Sequence, residues 1–577
     1  MLQVMNIIHH NGGSSLMSMK KIPYGITDYK TLILEEYAYV DKTMYIRSLE
    51  AAALYKVFLR PPGFGKSLFT SMLGYYYDIS EKDNFDFLFS NTDIGKNPTK
   101  RRNAYYVLKF KFSDIRTDSS DVLEEDFIRN VYDALHEFCA RYNLDIHLEM
   151  DRSVIQITSF FTRFQAKCKG KIYVIIDDYD IFVDELLSSN PPLFEYREAG
   201  DAFVRTWYAG LKSKTGTIID HIFITGISLN RLERVRSGFN ISMDYSMRSG
   251  FNEMMGFTRT EVEHLIQETI SEKLPANLMD SLTDYYGGYC FSEDGKECVL
   301  NSDMVLYYLD YYLRNGKPPA ELFEKNSVSD YNKLEKFITS HTPEQNFEIL
   351  QDIAFGGYGV ARIEECYFYG QTFGSERFKT LLYFLGLLTL KRPLLIYKRL
   401  QIPNAVMTGV FIDFLMQIIT WGTNYAPRLE QIEQAMNQLA KNSCEKLTDL
   451  IEELLIAISN YDSSGCSDKE IKIAIAAYAK ISTLYIIKSE YEAEGKYSDL
   501  IFIPRDSSSD LAIFLFTLKY DQKNEETGET SIGNVSEVVE QLRKYDLSNT
   551  LSGKRITAWV IAFAGDKCVA RVNVPVP

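Results

Sequence analysis

The segment Arg60-Pro61-Pro62-Gly63-Phe64-Gly65-Lys66-Ser67 lies between a short apolar run, residues 55–59, and a stretch of helical character, residues 68–77. Strand, glycine loop and helix form the arrangement in which backbone N–H groups wrap around phosphate oxygens at a helix N-terminus. In that arrangement Lys66 reaches the β- and γ-phosphates of a nucleotide such as ATP, and the Ser67 hydroxyl ligates Mg²⁺. Gly63 and Gly65 keep the loop permissive, while Pro61 and Pro62 stiffen its entrance. The full pattern GxxxxGK[ST] wants glycine at position 60, where this chain has Arg60. A bare GKS is common, so a second feature has to decide the matter.

That feature is the apolar run Ile172 to Ile176, which ends in Asp177-Asp178-Tyr179-Asp180. A strand that ends in an acidic residue sets a carboxylate beside Mg²⁺. Asp177 is the expected metal holder, and Asp178 stands where a carboxylate polarises the attacking water. Aspartate is one methylene shorter than glutamate, so slow hydrolysis is expected even where binding is tight. The alternative, two aspartates that merely cap a helix, is the weaker one given the loop upstream. Thr225 ends the next apolar strand, residues 221–227, and is placed to sense the γ-phosphate. Arg231, Arg234, Arg236 and Arg248 are candidates for a completing arginine, and nothing in the sequence chooses among them.

A chain of 577 residues calls for two to four domains. Its net charge of −15 argues against a wholly basic surface for nucleic acid, without excluding a local groove. The eight cysteines are scattered with no CxxC pair, so neither a disulfide scaffold nor a zinc module is expected. Residues 1–20 read as a loose leader, and residues 1–18 carry no Lys or Arg ahead of an apolar core, which makes a poor signal peptide. No run of apolar residues is long enough for a membrane span, and a cytoplasmic protein is expected. HExxH and GxSxG are both absent, which leaves metalloprotease and serine hydrolase readings without support.

Along the chain, strands expected at 55–59, 105–112, 172–176 and 221–227 alternate with helices, including 123–142 and 153–169. That alternation predicts an α/β domain with a largely parallel sheet. Beyond about residue 320 the pattern turns mainly helical, with a very apolar stretch at 378–390 and charged helices over 426–458. A final α/β region follows: a helix at 471–485, strands at 499–503, 511–520 and 556–564, a polar loop at 521–533 and a helix at 534–546.

The ordered set Ile22-Pro23-Tyr24-Gly25-Ile26, Tyr39-Val40-Asp41-Lys42-Thr43, the Arg60–Ser67 loop and Ile176–Asp180 resembles the AAA-ATPase-like proteins with a C-terminal PD-(D/E)XK-type nuclease domain. Thr225-Gly226-Ile227, Ser237–Asn240, Gly256-Phe257-Thr258 with Glu261, and residues 285–291 ahead of Asn301 continue the match. The family writes its loop as an arginine-proline-rich FGKS, so Arg60 becomes an expected feature and a cofactor-site residue. The resemblance implies a leader at 1–20, a P-loop domain at 21–320, a helical linker at 321–460 and a restriction-endonuclease-like domain at 461–577. It implies ATP and Mg²⁺ as cofactors, DNA or RNA as a partner, and leaves an oligomer open.

For the last domain the resemblance implies an aspartate at the start of one strand and an ExK on the next. The two carboxylates hold Mg²⁺ and the lysine steadies the attacking water. Asp499 fits the aspartate and Lys519 the lysine, but Thr517 stands where glutamate is wanted. A hydroxyl does not replace a carboxylate on a hard cation. Glu490, Glu492 and Glu494 are candidates to substitute, Glu490 foremost. Two functions stay open: an ATPase coupled to a nuclease, or a nucleotide-dependent binding protein whose nuclease-like domain is inactive.

Overall fold

The computed structural model describes residues 19–112, 115–116, 120–148, 155–180, 202–227, 241–270, 275–292, 298–322, 343–363, 374–394, 397–420, 423, 425–461, 467–482, 484–493, 496–505, 509–521, 538–540 and 555–575. Most of the leader, Arg231, Arg234, Arg236, Ser237–Asn240, Glu494 and most of the expected 534–546 helix lie outside these residues.

Strands β1 (Tyr55–Leu59), β2 (Tyr105–Lys111), β3 (Lys171–Asp177), β4 (Ile219–Gly226) and β5 (Met243–Asp244) form one sheet in the order β2-β3-β4-β1-β5. Every pairing in it is parallel. Parallel strands are covered on both faces, and β3 accordingly reads as an unbroken apolar run and β4 as a mostly apolar one, rather than as alternations. Tyr77 stacks on Tyr173 and Tyr105 meets both edge-on, while Trp207 meets Phe110 and Phe127 edge-on elsewhere.

The topology positions the site. Strand β1 is flanked by β4 and β5, although the chain next visits β2 at the far edge, so connections diverge at its carboxyl end. Crevices at such switch points are where open α/β sheets take ligands. The register Phe58↔Thr225 and Leu59↔Gly226 brings the end of β4 level with the start of the loop.

The middle of the chain carries helices Pro343–Gly356, Ser375–Phe384, Ala405–Thr420, Leu429–Ala440 and Glu445–Tyr461. It also holds a small sheet, β6 (Gly359–Ala361), β7 (Thr389–Leu394) and β8 (Tyr397–Gln401), in the order β6-β8-β7. The basic stretch from Lys391 to Arg399 shows no apolar alternation, so these strands left no periodic trace.

The last sheet contains β9 (Tyr485–Ala493), β10 (Lys496–Pro504), β11 (Ile513–Asp521), β12 (Ile556–Ala564) and β13 (Lys567–Pro575) in the order β13-β12-β11-β10-β9. Only β11 and β12 run parallel. The helix expected at 471–485 runs over Asp468–Ile481 and gives way to β9, whose first residues, Tyr485-Ile486-Ile487, favour a strand. Alternation divides this sheet: Phe502, Phe514, Phe516 and Leu518 join the main core, while Ile501, Ile513, Leu515, Ala558 and Val560 form a second one with Val539. The Ala405–Thr420 helix packs against helices Leu278–Tyr286, Pro343–Gly356 and Asp468–Ile481 and against β9, so one apolar core runs through all three regions.

Candidate nucleotide site and C-terminal centre

At the end of β1 the chain turns through Gly63 (φ 82°) and Gly65 (φ 83°), and the helix Lys66–Tyr77 begins directly after the second turn. Both glycines occupy the left-handed region that other residues resist. A side chain at Gly63 would also collide with the Asn301 amide, whose Oδ1 lies 2.6 Å from the ideal Cβ position. The loop carbonyls are tied outward. Asn301 Nδ2 donates to Pro62 O (3.1 Å), Ser302 Oγ and Asp303 N both donate to Gly63 O (2.8 and 2.9 Å), and Gly256 N donates to Phe64 O (3.0 Å). Phe64 is buried edge-on against Tyr289 and Phe291. The first N–H groups of the Lys66 helix have no partners within the helix, which is what an anion needs there.

Lys66 Nζ reaches back to Arg60 O (3.0 Å) and Pro61 O (3.1 Å). Arg60 faces elsewhere. Its guanidinium donates to Leu59 O (2.8 Å), Ser246 O (2.7 Å) and Phe251 O (3.0 Å) and lies 4.2 Å from the Phe291 ring centroid. Arg60 is 1% exposed, and burial lowers its pKa to about 10, so it remains charged at neutral pH. It braces the loop from behind, and it does not line the adjoining cavity.

That cavity measures about 330 Å³. Gly63 to Phe69 and Asp178 line it together with Ile26, Val40, Met254, Met255, Phe257 and Leu306. Asp178 enters it from a left-handed backbone (φ 51°) immediately after β3. Asp177 and Thr225 do not line it; the Thr225 hydroxyl donates to Asp177 Oδ1 at 2.5 Å, and both residues are buried. Asp180 accepts from Ile227 N (2.9 Å), closing the space between the ends of β3 and β4. Arg248 is exposed and stands just before the turn that carries Phe251.

The N-terminal motifs frame this cavity. Asp28 caps the helix Tyr29–Leu34 and accepts from Ser71 Oγ (3.0 Å) and Tyr75 OH (2.9 Å), which anchors residues 22–27 on the loop helix. Lys42 pairs with Glu261 at 2.7 Å and donates to Glu253 O at 2.8 Å. Glu261 in turn completes a capping box with Thr258.

In the C-terminal sheet, Leu500 pairs with Phe516, which sets Asp499 across from Thr517. Asp499 Oδ2 accepts from Leu518 N at 2.6 Å, and Oδ1 lies 2.6 Å from Lys472 Nζ. Thr517 Oγ1 is buried without a hydrogen-bond partner among the described residues. Lys519 is exposed. Ser489 pairs with Leu500 and Tyr491 with Ser498, which puts Glu490 across from Asp499 on the other neighbouring strand.

The family described as predicted AAA-ATPase matches residues 23–235, and the PD-(D/E)XK nuclease superfamily matches residues 467–572. The chain joins an AAA-ATPase-like domain to a PD-(D/E)XK nuclease-superfamily domain. An uncharacterized protein in the vnfD 5′ region of Azotobacter chroococcum mcd 1 is 24% identical over 310 residues, spanning 52% of this chain and 55% of that protein. The chain thus spans about half the length of this curated relative. Solved structures overlap the chain loosely. A chain of Drosophila ORC bound to poly(dA/dT) DNA and Cdc6 gives a TM-score of 0.25 at 11% identity, covering 80% of this chain and 70% of that one. The Aeropyrum pernix ORC2 protein in ADPNP–ADP complexes gives 0.25 at 11%, covering 65% and 92%. Overlaps this loose say nothing about activity.

The AAA-ATPase-like domain therefore gathers Gly63, Gly65, Lys66, Ser67 and Asp178 around one cavity. Arg60 stands behind it, and Thr225 and Asp177 are bonded to each other beside it. In the nuclease-like domain Asp499 and Lys472 meet, a pairing that the sequence reading did not foresee. Asp468 and Lys472 sit four residues apart on the helix Asp468–Ile481, so they share a face. That spacing, beside the apolar run Ala474–Ala477, was the available signal. Asn301, Ser302 and Asp303 were equally readable as a helix start but not as the outer clamp of the loop.

Among the described residues no helix is long and apolar enough to cross a membrane.

Proposed function

We propose that the chain binds ATP with Mg²⁺ in the 330 Å³ cavity and hydrolyses it slowly, and that its nuclease-like domain contacts nucleic acid without cutting it. One observation carries the nucleotide half: Lys66, Ser67 and Asp178 line one cavity together with apolar residues such as Met254, Phe257 and Leu306. A triphosphate asks for the first and a purine face for the second. When phosphate enters, Lys66 exchanges its two carbonyl partners for phosphate oxygens. Ser67 and the carboxylates of Asp177 and Asp178 are hard oxygen donors, which suits Mg²⁺. Bound there, Mg²⁺ supplies charge neutralisation of the β- and γ-phosphates. Thr225 holds Asp177 in one orientation through its hydroxyl. Asp178, inside the cavity, orients the attacking water and accepts its proton.

The test is calorimetric titration of ATP with Mg²⁺ into the wild type and Lys66→Ala. Loss of a buried charge-assisted contact predicts weakening by roughly 100-fold or more. Unchanged affinity rejects the site.

The non-cleaving half is supported by Thr517 in the place of a carboxylate. The register favours one competing reading, an active nuclease in which Glu490 substitutes. Plasmid and RNA cleavage with Mg²⁺ or Mn²⁺ separates them. The expected result is no product from the wild type. Wild-type cleavage that is lost in Asp499→Ala and in Glu490→Gln establishes the competitor instead.

A further inference from the structure

The nuclease-superfamily fold implies a divalent cation at the C-terminal centre, and the donors around Asp499 do not fit one. Both oxygens of Asp499 are engaged, one by Leu518 N and the other by the Lys472 ammonium, each at 2.6 Å. The second carboxylate that a hard cation needs is a buried threonine. Among the described residues no group of three or more His, Cys, Asp or Glu side chains is placed to share a metal ion.

Four charged groups from three elements lie close together at this point: Asp468 and Lys472 from the helix Asp468–Ile481, Asp499 from β10 and Lys519 from β11. Their formal charges cancel. Burial, with Asp499 nearby, pushes the Asp468 carboxyl above its ordinary value, while Lys472 and Lys519 oppose the shift. The middle of the chain closes the cluster from outside. Phe355, buried on the helix Pro343–Gly356, has its ring centroid 6.0 Å from Lys472 Nζ, and Asp352 one turn earlier lies 3.4 Å from Lys469 Nζ.

We propose that the Lys472 ammonium fills the place of the cation, and that the centre is a metal-free latch joining the helix Asp468–Ile481 to the open end of the β10–β11 pair beneath Phe355. The two strands are hydrogen-bonded at residues 500–502 and 514–516. Beyond that point Asp499 spends its carboxylate on a backbone N–H of the neighbouring strand and on the lysine. An ammonium contributes one positive charge and its own hydrogen bonds, which suits the Asp499 carboxylate it touches. With Lys472 and Lys519 already balancing both Asp468 and Asp499, a divalent ion would add uncompensated positive charge to the cluster.

The latch deepens the non-cleaving half of the proposed function. It is measured without nucleotide, so failure of ATP binding in Lys66→Ala leaves it untouched. The probe is Mn²⁺, followed by the paramagnetic resonance of the free aqua ion in titrations of the full chain. Wild type and Asp499→Asn are expected to take up Mn²⁺ equally. The Lys472→Met, Thr517→Glu double variant is expected to gain about one Mn²⁺ per chain. Wild-type uptake that disappears in Asp499→Asn overturns the proposal. Uptake lost only in Asp177→Asn belongs to the nucleotide centre and supports it. A second readout is melting in EDTA: Lys472→Met and Asp499→Asn should each lower Tm, and combined they should lower it by less than the sum, as coupled partners do. Additive losses also overturn the latch. Should the double variant fail to fold, the comparison of wild type with Asp499→Asn decides by itself.

Discussion

The two centres of this chain each depart from the motif that announces them, and the surroundings treat the departures in opposite ways. At position 60 an arginine stands where the general P-loop pattern has glycine, yet the cavity stays open because the guanidinium turns away into three backbone carbonyls. At position 517 a threonine stands where the nuclease pattern has glutamate, and there the neighbourhood has closed: Lys472 lies against Asp499, and Phe355 covers the lysine. A motif mismatch is therefore not itself a measure of lost function. What matters is whether the space for the ligand survives.

The sharpest way to break this comparison is Arg60→Gly, which restores the general motif. It strips three buried carbonyls of their donor and empties the space beside Phe291, so we expect a loss of about 3 kcal/mol or more in urea denaturation, with no gain in ATP affinity. A stable Arg60→Gly protein that binds ATP more tightly would falsify the bracing role.

Next comes Gly386, where φ is +79° and an added Cβ would lie 2.7 Å from Pro61 Cβ. Gly386→Ala should cost about 2 kcal/mol through strain plus overpacking. It should also weaken ATP, because Pro61 O is one of the two acceptors of Lys66. Gly357→Ala is the control. Its φ of +73° strains in the same way, but nothing lies within 4 Å of the new atom, so about 1 kcal/mol and unchanged ATP binding are expected.

Acid separates the two regions as well. His221 is buried on β4 beside Tyr105 and Tyr173, and burial with Lys56 nearby holds its imidazole well below the ordinary 6.5. Its contact with Asp220 at 3.3 Å is not enough to keep the ring charged against that burial. The folded form therefore stays neutral where the unfolded chain takes up a proton. Stability is full above about pH 6.5 and falls beneath it by about 1 kcal/mol per pH unit at most. No histidine follows His341, so between pH 7 and pH 5 hydrogen-exchange protection, corrected for the intrinsic rate, should fall in the parallel sheet before the C-terminal one. His221→Phe should flatten that response. An equal loss of protection in both sheets would assign the acid sensitivity to other groups.

The smallest effect is expected at Thr517→Val. The hydroxyl is buried without a partner among the described residues, so its removal should be neutral or stabilise by about 1 kcal/mol. A clear loss of stability would mean that the hydroxyl is in fact bonded, and would reopen the C-terminal centre.

The principal elements were legible because their periods are strong. An unbroken apolar run marked β3, mostly apolar runs marked β1 and β4, and the glycines at 63 and 65 marked the turn between β1 and its helix. The sheet β6-β8-β7 was illegible because β7 and β8 carry lysines and arginines without alternation and β6 is only three residues long. Strand β9 was missed: the expected helix ended at 485, taking in only Tyr485, and residues 486–493 were assigned to no element. At the site, Lys66, Ser67 and Asp178 could be named from spacing alone, whereas the clamp from Asn301 to Asp303 lies more than 230 residues away in sequence.

By itself the sequence determined which local shapes and which chemistry were available: a loop with two left-handed turns, a lysine and a serine at a helix start, and carboxylates at strand ends. Backbone sterics and side-chain type act over a few residues, so a linear reading captures them. Only the tertiary structure decided where the charges point. Arg60 turned into the wall rather than the cavity, Thr225 bonded to Asp177, and Lys472 settled on Asp499. Those outcomes depend on which buried carbonyls and carboxylates lack partners once the sheets have assembled, and no local pattern in the chain records that.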